Sequence, residues 1–350
     1  MKFALQVAGI MNAMRSSARL YGSPAATGDR VRNDQMGIEA VVSQTLLAES
    51  LGFDAVFVPD HYVFEAMGTL RPEVPAYELF FVMATLVQRT RTIRIASYVA
   101  CMLYRHPAMH ARLLAQVDEA SDGRVIAGVG AGWMRAEFEM MGIDFPDVSE
   151  RLQRMDEAVA IIRGLWRPEP FTLAGKFYRV KDAVCLPRPM QQPHPPLMLG
   201  GSGAGILRRA GEWADIVHMV PALGKAGTAT LTELQKFNDA AVRQKLARVR
   251  EAEARAGRPK GAVQYASTIF NLQITSSLAQ TRQVLEGMAA FFGPTAEQAR
   301  RHPMVLAGTP GEIVDELRRR ESEHGLSLLA INVKGEEQLT EFGEKVVAKM

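Results

Sequence analysis

Stretches with the pattern of buried strands alternate along this chain, end to end, with stretches that have helical spacing. That rhythm limits the folds open to it. Strand-like apolar runs occupy Phe3–Ala8, Asp54–Val58, Ile93–Val99, Val125–Val129, Pro196–Leu199, Asp215–Val220, Val263–Ile274 and Leu328–Val333. Helical spacing covers Ile38–Leu51, Tyr77–Gln88, Pro107–Ala120, Arg151–Trp166, Leu231–Ala256, Leu278–Phe291, Ile313–Glu323 and Glu337–Lys349, with a further start at Ile206–Ala210. Eight strands separated by helices, without a repeated motif, predict an α/β chain closed into a (β/α)8 TIM barrel. An open doubly wound sheet is the competing architecture, and the count of eight favours the barrel.

No linker signal divides the chain, so residues 1–350 read as one domain. Two segments interrupt the rhythm. Residues 10–36 are polar and follow the first strand, where in a barrel they would form either a lid over the mouth or a surface loop. Residues 168–196 read as an inserted hairpin around Phe171–Tyr178, followed by an extended proline-rich loop.

Composition narrows the function. With 47% apolar residues in 350, the chain can bury a large core. A net charge of +3 with no long basic block argues against a nucleic-acid partner. The two cysteines, Cys101 and Cys185, form no framework or metal spacing, which suits a reducing cytoplasm. The seven histidines show no zinc pattern, so no metal is expected. Gln6 and Asn12 interrupt any signal-like core, and no apolar run is long enough for a membrane helix.

In a barrel the ligand lies at the carboxyl ends of the strands. The chemistry-bearing residues of this sequence fall there. Asp60 and His61 follow the second strand, Ser97 and Tyr98 end the third, and Gly130, Ala131, Gly132 and Trp133 follow the fourth. Glu137 and Glu139 come just beyond. The spacing Gly128-x-Gly130-x-Gly132 lacks the third glycine of the dinucleotide fingerprint, which excludes a Rossmann reading. Gly200-Gly201-Ser202-Gly203 opens a helix after the fifth strand. Free backbone N–H groups at a helix start, with a hydroxyl beside them, suit a phosphate; a plain strand-to-helix turn is the simpler alternative. Asp60-His61 reads as a proton donor or acceptor near neutral pH, or as a structural cap and a packed ring. Arg151, Arg154 and Glu157 read as an ion-pair face on their helix. Met11, Met14, Tyr62, Phe64, Met102 and Trp133 read either as an apolar ligand lining or as core.

Taken in order along the chain, these motifs resemble the bacterial luciferase-like superfamily of flavin- and deazaflavin-dependent oxidoreductases. The resemblance is carried by Val58-Pro59-Asp60-His61, Arg105-His106-Pro107-Ala108, Asp122-Gly123-Arg124-Val125, Gly128 to Trp133 with Glu137-Phe138, and Arg151-x-x-Arg154-x-x-Glu157-Ala158. It continues through Gly175-Lys176-Phe177-Tyr178, Pro187-x-Pro189-x-Gln191, Pro195 to Gly201 and Gly308-Thr309-Pro310.

The resemblance implies a (β/α)8 barrel with insertions, commonly a homodimer. It implies a tricyclic ring across the mouth, flanked by Asp60, Ser97 and Tyr98, with Gly130, Ala131 and Gly132 along the ring or its chain. Met198, Gly200, Gly201 and Ser202 would bind the cofactor, the last three at its phosphate. His61 would be the catalytic proton handler, and Trp133 and Glu137 would face the substrate. It also implies a cis peptide between non-prolines at Ser97–Tyr98. The leading reading is a monooxygenase that uses reduced FMN, supplied by a separate flavin reductase, and oxygen on a small organic substrate. The alternatives are a dehydrogenase or reductase that exchanges hydride with deazaflavin coenzyme F-420, and a non-catalytic flavin-binding protein. Ala131 stands where luciferases proper carry arginine, which argues against light emission. Trp133 stands where deazaflavin glucose-phosphate dehydrogenases carry glutamate, so no sugar-phosphate substrate is implied.

Overall fold

In the computed structural model, which describes residues 1–7, 37–66, 69–72, 74–222 and 230–350, eight parallel strands close into a barrel. They are β1 (Lys2–Gln6), β2 (Ala55–Val58), β3 (Arg94–Ser97), β4 (Val125–Gly130), β5 (Leu197–Gly200), β6 (Ile216–His218), β7 (Gln264–Ile269) and β8 (Leu326–Ile331). Each pairs in parallel with its neighbour in sequence. Closure comes from Leu5 of β1 set opposite Ile331 of β8. The β4–β5 junction pairs Leu199 with Val129 across the intervening insertion. The predicted eight-stranded barrel is therefore the observed architecture.

These strands read as unbroken apolar runs because both faces are covered. Alternate residues point to the barrel axis, where Ala4, Ala55, Ala96, Ala266 and Ala330 leave room for Phe57 and Met198. Phe57 is fully buried there, a burial that contributes about 1.5–3 kcal/mol. The residues between, such as Leu5, Val56, Ile95 and Leu329, meet the outer helices.

The helices are α1 (Ile38–Ser50), α2 (Leu79–Arg89), α3 (Pro107–Ala120), α4 (Arg135–Met140), α5 (Val148–Leu165), α6 (Ala204–Trp213), α7 (Asp239–Arg255), α8 (Leu278–Phe292), α9 (Pro310–His324) and α10 (Glu336–Lys345), with short helices at Leu231–Lys236 and Ala296–Arg301. Local sequence sets their ends. Pro107 and Pro310 sit at helix starts, where a missing N–H costs nothing. Thr309 and Glu312 form a reciprocal capping box, and α9 stops at Gly325 in the left-handed region (φ 69°).

Three features depart from expectation. The helix expected over Leu231–Ala256 is broken. Phe237 is buried at 2% exposure, and the Asn238 side chain accepts from Ala241 N–H to start α7 afresh. The strand expected over Val263–Ile274 ends at Ile269. Asn271–Ile274 then leaves the barrel to pair in parallel with Val305–Gly308, a strand too short to stand out in the sequence. The ion-pair face on α5 is only partly formed. Arg154 meets Glu150 at 2.7 Å, but Arg151 lies over the Phe145 ring. The Glu157 carboxylate accepts from the N–H groups of Lys176, Phe177 and Tyr178. It thereby fixes the expected inserted hairpin, Phe171–Ala174 against Arg179–Ala183. Among the described residues no helix is long and apolar enough to cross a membrane. The expected lid at 10–36, with Met11 and Met14, lies outside the described residues.

Candidate active site

Because the strands are parallel, their carboxyl ends share one rim. Asp60, His61, Tyr98, Gly130 to Trp133, Glu137 and Gly200 to Ser202 all follow strand ends on that rim. Glu137 lies on the short helix α4, which runs under the β2 loop. Its side chain is 1% exposed, and it gathers groups from two distant segments. Oε1 accepts from Tyr62 N–H (2.6 Å) and Val63 N–H (3.2 Å), Oε2 accepts from the Tyr104 hydroxyl (2.7 Å), and both oxygens lie 3.1 Å from His61 Nδ1. Burial works to raise the carboxyl pKa. The hydrogen bond and charge of His61, with those from Tyr104 and Tyr62, outweigh it and hold Glu137 below the ordinary carboxylate range. An ionised carboxylate only accepts, so Nδ1 of His61 carries hydrogen and Nε2 is the basic nitrogen of the ring. Trp133 stands edge-on to the His61 ring at 5.9 Å. Glu137, expected at the substrate, is instead behind His61, with its oxygens committed to protein donors.

Asp60 is also engaged. Arg105 grips it with two bonds of 2.8 Å, and Cys101 N–H donates to it at 2.9 Å. Arg105 also reaches Glu78 at 2.5 Å and lies over the Phe80 ring. Asp60 thus locks the β2 loop to the turn after β3, a use that sequence reading did not identify. Ser97, expected beside the cofactor, is fully buried. Its hydroxyl donates to Gly128 O and accepts from Gly128 N–H, both at 2.8 Å, clipping β3 to β4.

The cis non-proline peptide is Tyr98–Val99, one residue beyond the expected Ser97–Tyr98. Tyr98 points into the barrel, stacked on Phe57 at 5.0 Å, and its hydroxyl is 2.9 Å from Thr268 Oγ1. His218 Nε2 lies 2.9 Å from the same Thr268 oxygen. Complete burial drives the His218 pKa down to about 3, so this ring is neutral. Met198, expected at the cofactor, is fully buried in the barrel interior beneath the rim. Met102 and Phe64 are likewise core side chains.

The rim glycines serve two ends. A Cβ on Gly130 or Gly200 would lie 2.7 or 2.8 Å from Val99 Cγ2, so both residues make room for Val99. Gly201 has φ 127°, and Gly203 leads into α6, with open space where a Cβ would stand. The Ser202 hydroxyl is spent on Val220 O at 2.6 Å. The first amides of α6 keep the free donors of a helix start, and Lys245 Nζ is close by, 3.0 Å from Ser202 O. That donor set, cationic and open, fits a phosphate without help from the Ser202 side chain.

Sequence reading missed Tyr104, Arg105, His218 and Thr268 as parts of the site. For His218 and Thr268 the signal was present, as polar residues at the carboxyl ends of apolar strands in register with inward-facing alanines; Tyr104 and Arg105 lie in the turn beyond β3, where no such pattern marks them.

Comparison with known proteins agrees with this architecture. A family profile described as luciferase-like monooxygenase matches residues 19–326. An F420-dependent glucose-6-phosphate dehydrogenase of Microbacterium testaceum is 34% identical over 194 residues, and the match spans 55% of each chain. One from Amycolatopsis mediterranei is 26% identical over 340 residues, 92% of this chain and 98% of the relative. An FMNH2-dependent dimethylsulfone monooxygenase of Pseudomonas putida is 34% identical over 109 residues, 31% of this chain and 30% of the relative.

Proposed function

The chain belongs to the luciferase-like monooxygenase family, and from that premise we propose an oxidoreductase that seats a flavin-type ring in the barrel mouth with His61 as its proton handler. The observation that carries this reading is the His61–Glu137 pair. A buried, ionised carboxylate accepts from Nδ1 of the imidazole, which fixes the ring's orientation and makes Nε2 its basic nitrogen. The amides opening α6, with Lys245, would hold the cofactor phosphate. A bound ring of this class supplies a two-electron acceptor or donor. The protein's own part is narrower: His61 Nε2 takes the proton that a hydroxyl substrate releases on oxidation, and Trp133 bounds the substrate beside it.

A fixed general base suits hydride exchange with deazaflavin coenzyme F-420, the cofactor class named in the dehydrogenase relatives. The second reading is oxygen-dependent chemistry with reduced FMN, favoured by the similarity to the dimethylsulfone monooxygenase. It would require a separate flavin reductase. Free, buried Cys101 and Cys185 fit a cytoplasmic setting, and a homodimer is the expected assembly.

Anaerobic titration with coenzyme F-420, FMN and reduced FMN tests the proposal. Micromolar binding of at least one ring, with NAD bound far more weakly, is the expected result. Admission of air then separates the two schemes, because a bound cofactor that reacts with oxygen excludes the deazaflavin one. Failure of every ring to bind refutes the reading.

A further inference from the structure

Two amide side chains at the top of the barrel carry buried polar atoms that no group among the described residues answers. Gln6 closes β1 and Asn332 follows β8, and each is 2% exposed. Gln6 Oε1 and both Oδ1 and Nδ2 of Asn332 have no hydrogen-bond partner among the described residues. Strand alternation fixes where these side chains point. Ala4 and Ala330 face the barrel axis, so Gln6 and Asn332, two residues on, face it one level higher. The ladders persist to that level: Val7 N–H donates to Phe57 O at 3.1 Å and Asn332 N–H to Ile269 O at 3.0 Å. Pairing of Leu5 with Ile331 sets the two amides side by side.

The neighbouring wall differs from them. Thr268 is already bonded to Tyr98 and to His218, and His218 is neutral. Among the described residues, Thr268 and His218 are thus spent on each other and on Tyr98, whereas the amides of Gln6 and Asn332 keep unanswered hydrogen-bonding capacity. Burying polar atoms without partners is costly, and native chains rarely keep several together unless something else satisfies them.

A primary amide presents a carbonyl acceptor and an N–H donor in one plane. Its complement is a lactam or imide edge, an N–H beside a carbonyl, and the pyrimidinedione end of flavins and deazaflavins is such an edge. We infer that Asn332, with Gln6 beside it, is the subsite for that imide edge. Asn332 Oδ1 accepts from the ring N3–H, and Nδ2 donates to an adjoining carbonyl. This inference rests on the flavin-ring reading above and adds to it a recognition element on β1, the neighbour of the strand that leads into His61, and on β8 beyond it, independent of the phosphate.

The test uses the full-length protein and fluorescence titration with FMN and its N3-methyl derivative, alongside melting curves without ligand. Two neutral hydrogen bonds correspond to about a tenfold change in affinity. Wild-type protein is expected to prefer FMN over the N3-methyl compound by about that factor. Asn332→Leu is expected to bind FMN about tenfold more weakly and to lose the preference. The unliganded variant should melt at or above the wild-type temperature, since an unanswered amide gives way to an apolar side chain of similar size. Equal binding of the two compounds by wild type, a preference that survives in Asn332→Leu, or a lowered melting temperature in the unliganded variant would overturn the inference and leave the flavin reading standing. Failure of wild type to bind any tricyclic ring would overturn both.

Discussion

Glu137→Gln separates the electrostatic work of this side chain from its packing. The amide has the same shape and keeps an oxygen where Tyr62 N–H and Val63 N–H donate. Its NH2 must then face the Tyr104 hydroxyl and His61 Nδ1, where Oε2 stood. Tyr104 turns to accept. His61 accepts at Nδ1 and so shifts its hydrogen to Nε2, the wrong nitrogen for a base. Replacing charge-assisted hydrogen bonds by neutral ones costs about 2 kcal/mol. At about 2.1 cal/mol/K per residue of unfolding entropy, 350 residues convert this to a drop of about 3 °C in melting temperature. Loss of the general base should slow turnover by about 10²–10⁴. Nitrogen-15 NMR of the imidazoles reads the cause without a substrate: His61 should carry hydrogen on Nδ1 in wild type and on Nε2 in the variant. An unchanged tautomer, or wild-type turnover in a folded Glu137→Gln protein, would refute the reasoning.

Three other outcomes are expected. Burial holds His110 and His302 near 4 and His218 near 3, all below the ordinary 6.5. As pH falls the unfolded chain takes up these protons first, so stability should drop from pH 6.5 downward, by about 3 kcal/mol over the first unit for the three together. Urea midpoints that stay flat from pH 6.5 to 5.5 would contradict it. Gly130→Ala should destabilise by about 1–3 kcal/mol through its clash with Val99. Adding Val99→Ala should recover part of that in a double-mutant cycle, and strict additivity would show the clash to be absent. Arg105→Met strands the buried Asp60 carboxylate and should cost about 3–5 kcal/mol, read by chemical denaturation. Addition of Asp60→Asn should restore part of the loss, and no restoration would sink the buried-pair account.

The barrel was legible because parallel strands covered on both faces must be apolar throughout, and a proline or a capping residue marks several of the helix starts. What escaped was decided by distant contacts. Phe237 reads as one more apolar residue of a long helix until the core claims it. The pairing of Asn271–Ile274 with Val305–Gly308 joins segments that carry no mutual signal in the chain. At the rim, the clustering of His61, Trp133 and the glycine loops followed from strand ends alone. Ser97 turns its hydroxyl to the next strand, Met198 points to the barrel axis beneath the rim and Glu137 sits on α4 behind His61, orientations that position in the sequence does not carry. Glu137 takes its place only when residues 62–63, 104 and 137 meet.

Val99 fills the space beside Gly130 on one strand and Gly200 on the next, so one branched side chain is wedged between the two loops. Neither loop can tilt inward without pressing on the same methyl group. Under the reading proposed above, a phosphate held beside Gly200 and a ring held beside Gly130 would bear on this one shared wedge.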